Sequence, residues 1–111
     1  MTTPEPRLIG YARVSSADQN LDRQLGALNA QRCHKIYSEK VSGKDIKNRP
    51  QLEKAINGLG TGDILMVAEW DRATRSMWDG LAIMQRVAAR GAFIKILDKP
   101  LAERFWDNVS F

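Results

Sequence analysis

Cysteine and histidine occur once each, as Cys33 and His34, in a chain of 111 residues. A single cysteine excludes an internal disulfide, and one Cys with one His falls short of a structural zinc site. The lone histidine lies at the start of the second β-rich run, which leaves a Ser-His-Asp triad without its base. No apolar run approaches the roughly 20 residues of a membrane-spanning helix. The opening residues, Met-Thr-Thr-Pro-Glu-Pro, lack the basic and apolar regions of a signal peptide, so a cytosolic protein is expected. Neither the G-x-G-x-x-G fingerprint nor a P-loop motif occurs. What is present is ordinary for one small globular domain: 43% apolar and 27% charged residues. Seventeen Lys and Arg against 13 Asp and Glu give a net charge of +4. That balance suits a nucleic-acid partner without requiring one.

Residues 7–14 (RLIGYARV) read as a first strand. Ser16 to Gln19 fits a capping box, in which each side chain satisfies an orphan N–H of the helix start. The helix that follows carries Leu21, Leu25 and Leu28 on one face. Residues 35–38 read as a second strand and 41–48, containing Gly43, as a mobile loop. Asn48, Arg49 and Pro50 read as an N-cap closely followed by a first-turn proline. That helix buries Leu52, Ile56 and Leu59 and stops at the glycines of residues 58–62. Residues 64–70 (ILMVAEW) are apolar on consecutive positions, as in a strand covered on both faces. Ser76 with Asp79 caps a third helix with the stripe Met77, Leu81, Met84 and Val87/Ala88. Gly91 ends it, and residues 92–97 are a fourth strand. The order βαβαβαβ predicts an α/β fold in three layers: a mainly parallel four-stranded sheet, helices on both faces, right-handed crossovers.

Open α/β sheets bind ligands beyond the carboxyl ends of their strands, near the topological switch point. The first strand ends in Arg13-Val-Ser15-Ser16. The second runs into Lys40, Lys44, Lys47 and Arg49, and the third into Asp71-Arg72-Ala-Thr-Arg75. All three basic clusters therefore fall on one edge of the sheet. Ser15 is the candidate nucleophile, with Arg13, Arg49, Arg72 and Arg75 able to converge on it. That constellation suits a phosphodiester, because phosphoryl transfer depends on positioning and on cations against the nonbridging oxygens. Arginine matches phosphate bidentately and keeps its charge. No metal or other cofactor is required, since guanidinium groups can take the cation's place. Blander readings stand beside these. Ser15 can be a loop hydroxyl serving the backbone, and Ser16 is better read as the helix cap. Arg72 and Arg75 can pair with Asp71 and Asp79, and Asp71 is better read as orienting arginines than as a base. Tyr11 reads as core with its hydroxyl at the strand edge, Gly10 and Gly43 as packing and turn glycines. Met66, Met77 and Met84 read as core filler, Cys33 and His34 as structural.

Taken together, Tyr11-Ala-Arg-Val-Ser15, Asp18-Gln-Asn-Leu-Asp22, Ser42-Gly43, Arg49-Pro50 and Asp71-Arg72-x-x-Arg75-Ser76 resemble the catalytic domain of the serine recombinases, the resolvase/invertase family of transposons and phages. The resemblance covers residues 7–98. It implies the resolvase catalytic-domain, flavodoxin-like arrangement and site-specific DNA recombination. Ser15 would form a 5′-phosphoserine bond to cleaved DNA, releasing a 3′-hydroxyl. Arg13, Arg72 and Arg75 would bind the scissile phosphate, Arg49 would assist, and Asp71 and Gln19 would hold these groups in place. The family works as a tetramer on paired sites and reseals DNA without ATP or an obligatory metal.

The resemblance also implies a long dimerisation helix and a helix-turn-helix domain, and neither follows here. The expectation is thus a domain over 1–98 and a tail over 99–111 that departs from the family. A fragment of this kind would bind DNA weakly and without sequence preference, and would associate with itself or with intact recombinase subunits. In a bacterial cell it would sit with the nucleoid. The competing reading is a non-catalytic remnant that binds or regulates intact subunits, and a third is an unrelated flavodoxin-like protein with a basic rim. Apolar surface around the third helix and fourth strand is expected to lack cover unless Phe105 and Trp106 fold back or pack on a second copy.

Overall fold

In the computed structural model residues 5–15, 21–42 and 47–99 are described. The Ser16–Gln19 capping box and the tail from residue 100 lie outside them. Residues Leu8–Val14 form β1, buried at every position but its first, as a strand covered on both faces requires. In chain order there follow α1 (Leu21–Ala30), β2 (Lys35–Lys40), α2 (Pro50–Asn57), β3 (Ile64–Val67), α3 (Trp70–Ala73), α4 (Met77–Ala89) and β4 (Phe93–Ile96). The sheet order is β2-β1-β3-β4 with every pair parallel. The order reverses between β1 and β3, which is the switch point of this sheet.

The two faces follow from the alternation along β1. Ile9 and Tyr11 pack with Leu52, Ala55 and Ile56 of α2 and with Ile83 and Val87 of α4. Leu8 and Ala12 pack with Leu21, Leu25 and Leu28 of α1. Gly10 lets α1 approach, since a Cβ there would stand 3.1 Å from a methyl of Leu28. Gly91 ends α4 at φ +72, a conformation open to glycine at no steric cost.

Several boundaries differ from the sequence reading. β3 stops at Val67, and the stretch read as its end bends and forms the extra short helix α3. The N-cap of α2 is Arg49, not Asn48, and it makes no side-chain cap. Glu39 of β2 does that work, accepting from the N–H groups of Gln51 at 3.1 Å and Leu52 at 3.2 Å. The buried face of α4 is Gly80, Ile83 and Val87. Met77 and Leu81, read as its stripe, are 72% and 45% exposed. Apolar residues lie on two sides of this helix, so periodicity alone cannot choose between them. Among the described residues the exposed large apolar side chains are Met77, Trp78, Leu81 and Phe93.

Two ion pairs join distant parts of the chain. Arg7 donates to Asp63 from Nε and Nη2, at 3.1 and 2.6 Å, on the amino edge of the sheet. At the carboxyl edge Arg49 donates to both oxygens of Asp79 at 2.7 Å and to the Ala73 carbonyl at 2.7 Å. Both side chains of this second pair are 10% exposed. Ser76 caps α4 as its sequence suggests, accepting the Asp79 N–H at 3.1 Å. Asp79 in turn accepts the Arg75 N–H at 3.1 Å. The pair thus ties the start of α2 to the start of α4.

Burial alone would raise the Asp79 carboxyl, but the Arg49 guanidinium and the Arg75 N–H outweigh it and hold it below the ordinary carboxylate range. The Arg7 guanidinium, against a smaller burial penalty, does the same to Asp63. A carboxyl whose folded pKa is depressed contributes stability that is present above its unfolded value, about 3.9, and lost as pH falls through the folded value. Asp79→Ala should therefore destabilise the domain at pH 7 by about 3 kcal/mol, the low end for orphaning one member of a buried pair. Urea unfolding at pH 7 and again at pH 3 checks this. The gap between wild type and variant should narrow at pH 3, and a constant gap would show that the ion pair is not its source.

Candidate active site at the carboxyl edge

β1 runs three residues past its last partner in β3, since Tyr11 pairs with Val67 and no β3 residue stands opposite Ala12 to Val14. The Ala68 N–H closes that ladder on the Tyr11 carbonyl at 3.1 Å, and the chain then turns away into α3. The backbone of Arg13 is left facing an empty place in the sheet. Gln24 of α1 fills it. The Arg13 N–H donates to Gln24 Oε1 at 3.3 Å, and Gln24 Nε2 donates to the Arg13 carbonyl at 3.0 Å. A carboxamide presents one donor and one acceptor side by side, as a neighbouring strand residue would. Gln24 is 1% exposed.

With its backbone clamped, Arg13 sends its side chain across the edge. Nε and Nη2 donate to the Val41 carbonyl at 3.0 and 2.5 Å. Nη1 donates to the Arg72 carbonyl. Those bonds engage three of the five guanidinium N–H groups. Arg13 is 5% exposed; burial, with Arg49 and Arg72 nearby, pulls its pKa down, against Tyr11 and Glu39. Glu39 also accepts the Tyr11 hydroxyl at 2.5 Å. Burial and that carboxylate push the Tyr11 hydroxyl well above the usual range, so it stays a donor.

The other candidates are disposed differently. Ser15 follows β1 directly, half-buried on the same edge. Arg49 is locked to Asp79. The Arg72 side chain is 45% exposed, its Nε 3.8 Å from Glu69. Glu69 also accepts from Arg23 of α1 at 2.9 and 2.6 Å. Arg75 is exposed just before α4 and is one of the residues lining a cavity of about 380 Å³. The Asp71 carboxylate is 77% exposed and accepts from Lys99 Nζ at 2.9 Å. Gln19, Gly43 and Lys44 lie outside the described residues. Among the described residues no three His, Cys, Asp or Glu side chains gather as a metal site.

Gln24, Glu39 and Glu69 do positioning work that sequence reasoning missed. Gln24 was detectable as a polar residue set into the stripe of Leu21, Leu25 and Leu28. Glu39 carried no such signal, because its partners are more than ten residues away along the chain, and the same holds for the bond of Glu69 to Arg23.

The model of the resolvase N-terminal domain matches residues 8–107. The Salmonella typhimurium DNA-invertase hin is 43% identical over 84 residues, which is 76% of this chain and 44% of that protein. The Tn21 transposon resolvase of Escherichia coli is 43% identical over 94 residues, 85% of this chain and 48% of that one. This chain thus spans about half the length of the curated relatives it matches. A resolvase family site-specific recombinase from Streptococcus pneumoniae superposes with a TM-score of 0.67 at 19% identity, covering 96% of this chain and 86% of that one. The C-terminal catalytic domain of ISC1926 TnpA, an IS607-like serine recombinase, gives 0.63 at 24% identity over 94% of this chain and 79% of that one. At those identities the two structures speak for the fold. With a family model covering most of its length, and with the switch-point edge of its parallel sheet lined by arginine, this chain belongs to the resolvase N-terminal domain family.

Proposed function

We propose that this domain cleaves and rejoins DNA in site-specific recombination, with Ser15 as nucleophile. The observation that carries the reading is the convergence on one sheet edge. Ser15 stands two residues beyond Arg13, whose side chain reaches the carbonyl of Arg72, while Arg75 begins the next helix. In the forward step the Ser15 oxygen bonds to phosphorus and the bond from phosphorus to the 3′-oxygen breaks. Ser15 loses one proton and the departing 3′-oxygen gains one. The product is a 5′-phosphoserine ester, which a 3′-hydroxyl attacks in the reverse sense to reseal the strand. The phosphodiester's energy is kept in the ester, so no nucleotide cofactor is needed.

The arginines divide the work. Arg72 and Arg75 meet the nonbridging oxygens, where charge builds in the transition state. Arg13 holds the edge together and offers its remaining N–H groups to the same phosphate. Arg49 fixes the approach of α2 and α4. Asp71 and Gln19 complete the set, Asp71 from the rim where it meets Lys99. The domain associates with itself or with intact recombinase subunits, and in a bacterial cell it accompanies the nucleoid. The exposed Met77, Trp78 and Leu81 favour such association and also suit a remnant that regulates intact subunits. Covalent trapping separates the two roles.

Ser15→Ala should abolish covalent protein–DNA adducts on nicked duplexes, read on denaturing gels, while leaving DNA binding nearly intact. Adducts that persist would assign the nucleophile elsewhere. Arg72→Ala and Arg75→Ala should each slow adduct formation on the order of 100- to 1,000-fold, the scale for one transition-state donor. Duplex affinity of the domain alone should lie around 10⁻⁴–10⁻⁶ M at physiological salt and ignore sequence. Nanomolar binding to one site, measured by fluorescence anisotropy, would contradict the reading.

A further inference from the structure

The cavity of about 380 Å³ beside Arg75 is bounded by Trp70, Asp71, Thr74, Arg75, Ser76 and Met77. Its volume falls within the roughly 300–1,000 Å³ of small-ligand sites. Only part of this wall suits a phosphate, which calls for cations and N–H donors. A thioether adds nothing to phosphate binding and an indole only its single N–H, and the cleavage chemistry above uses neither Trp70 nor Met77.

Trp70 is nonetheless held firmly. Its backbone N–H donates to Asp98 Oδ1 at 3.0 Å and its backbone carbonyl accepts the Thr74 hydroxyl at 2.9 Å, while the side chain packs against the core. The indole lies against Gly80 of α4, where a Cβ would stand 2.8 Å from ring atom Cζ2. Glycine at 80 is thus what lets the ring seat on α4 and form a cavity wall. Met77, 72% exposed, supplies an adaptable apolar wall from α4.

A fixed aromatic ring, a soft thioether and a guanidinium, rimmed by hydroxyls and one carboxylate, match a nucleobase. Every base has a π-face for the indole and arginine, whatever its identity. Base edges carry amino donors for the Asp71 carboxylate and acceptors for the Ser76 hydroxyl. A base inside a duplex has both faces stacked and cannot enter, so the occupant has to be unpaired. We propose that the cavity between α3 and the start of α4 receives an unpaired nucleobase of the DNA strand whose phosphate meets Arg75, with Trp70 and Met77 as its apolar walls. This rests on the DNA-cleaving reading and adds a base-binding subsite to it.

The test compares a short single-stranded thymidine oligonucleotide with an abasic strand of the same length, titrated into the labelled protein and followed by NMR. The thymidine strand should shift the Trp70 indole N–H and the Met77 methyl in a saturable way, and the abasic strand should leave both in place. Trp70→Leu should weaken thymidine-strand binding about five- to hundredfold, the range for one lost stacking contact, with abasic affinity unchanged. Met77→Ala, at an exposed position, should act in the same direction and covers the case in which the Trp70 variant fails to fold. Equal shifts with both strands, or no shift at saturation, overturn the proposal. Ser15 adducts on a nicked duplex are scored separately. Adducts without a base-dependent shift defeat this subsite alone, and a base-dependent shift without adducts defeats the nucleophile assignment alone.

Discussion

β1 is longer than β3 at the carboxyl end, and the arrangement of the site depends on how that mismatch is closed. A backbone N–H and C=O buried without partners would cost on the order of 1–3 kcal/mol each. Gln24 removes that cost and in doing so fixes the position of Arg13. The Arg13 guanidinium then reaches from the Val41 carbonyl beyond β2 to the Arg72 carbonyl of α3. Three segments that meet nowhere else in sequence are joined by one buried side chain. A guanidinium tolerates that place because its N–H fork meets carbonyl oxygens in several directions at once.

The arginines of this edge differ in how fully protein groups already answer their charge. Arg49 faces a bidentate carboxylate and a carbonyl in a nearly closed pocket. Arg13 is spread over carbonyls. Arg72 has a carboxylate at the outer limit of an ion pair, and an exposed pair of that kind contributes little. Arg13 and Arg49 are thus the more buried members of the set, and Arg72 and Arg75 the exposed ones.

Other distant contacts support the same edge. Glu39 serves β2, Tyr11 and the bare start of α2 at once. Glu69 links Arg23 of α1 to α3. Carboxylates that run through several partners in this way resist replacement by any single conservative change. Asp71 stands apart from these carboxylates, turned outward to Lys99.

The sequence by itself determined the order of strands and long helices, the parallel sheet, the Ser76 cap, the first-turn proline at Pro50, and the edge on which the basic residues gather. These follow from short-range rules: periodicity, capping and the geometry of parallel connections act within a few residues. Arg13 and Ser15 at the end of β1, and Arg49 and Arg75 beside helix starts, could be placed on that edge for the same reason. Tertiary structure alone decided which face of α4 is buried, because two apolar stripes compete there and Trp70 against Gly80 selects one. It decided that the chain leaves the sheet after Val67 and enters α3, although residues 68–70 read as the end of the strand. It also decided the long-range ion pairs among the described residues. A side chain chooses its counter-charge by distance in space, and Gln24, Glu39, Glu69 and Asp79 come within reach of theirs only after the sheet and its two layers of helices have closed.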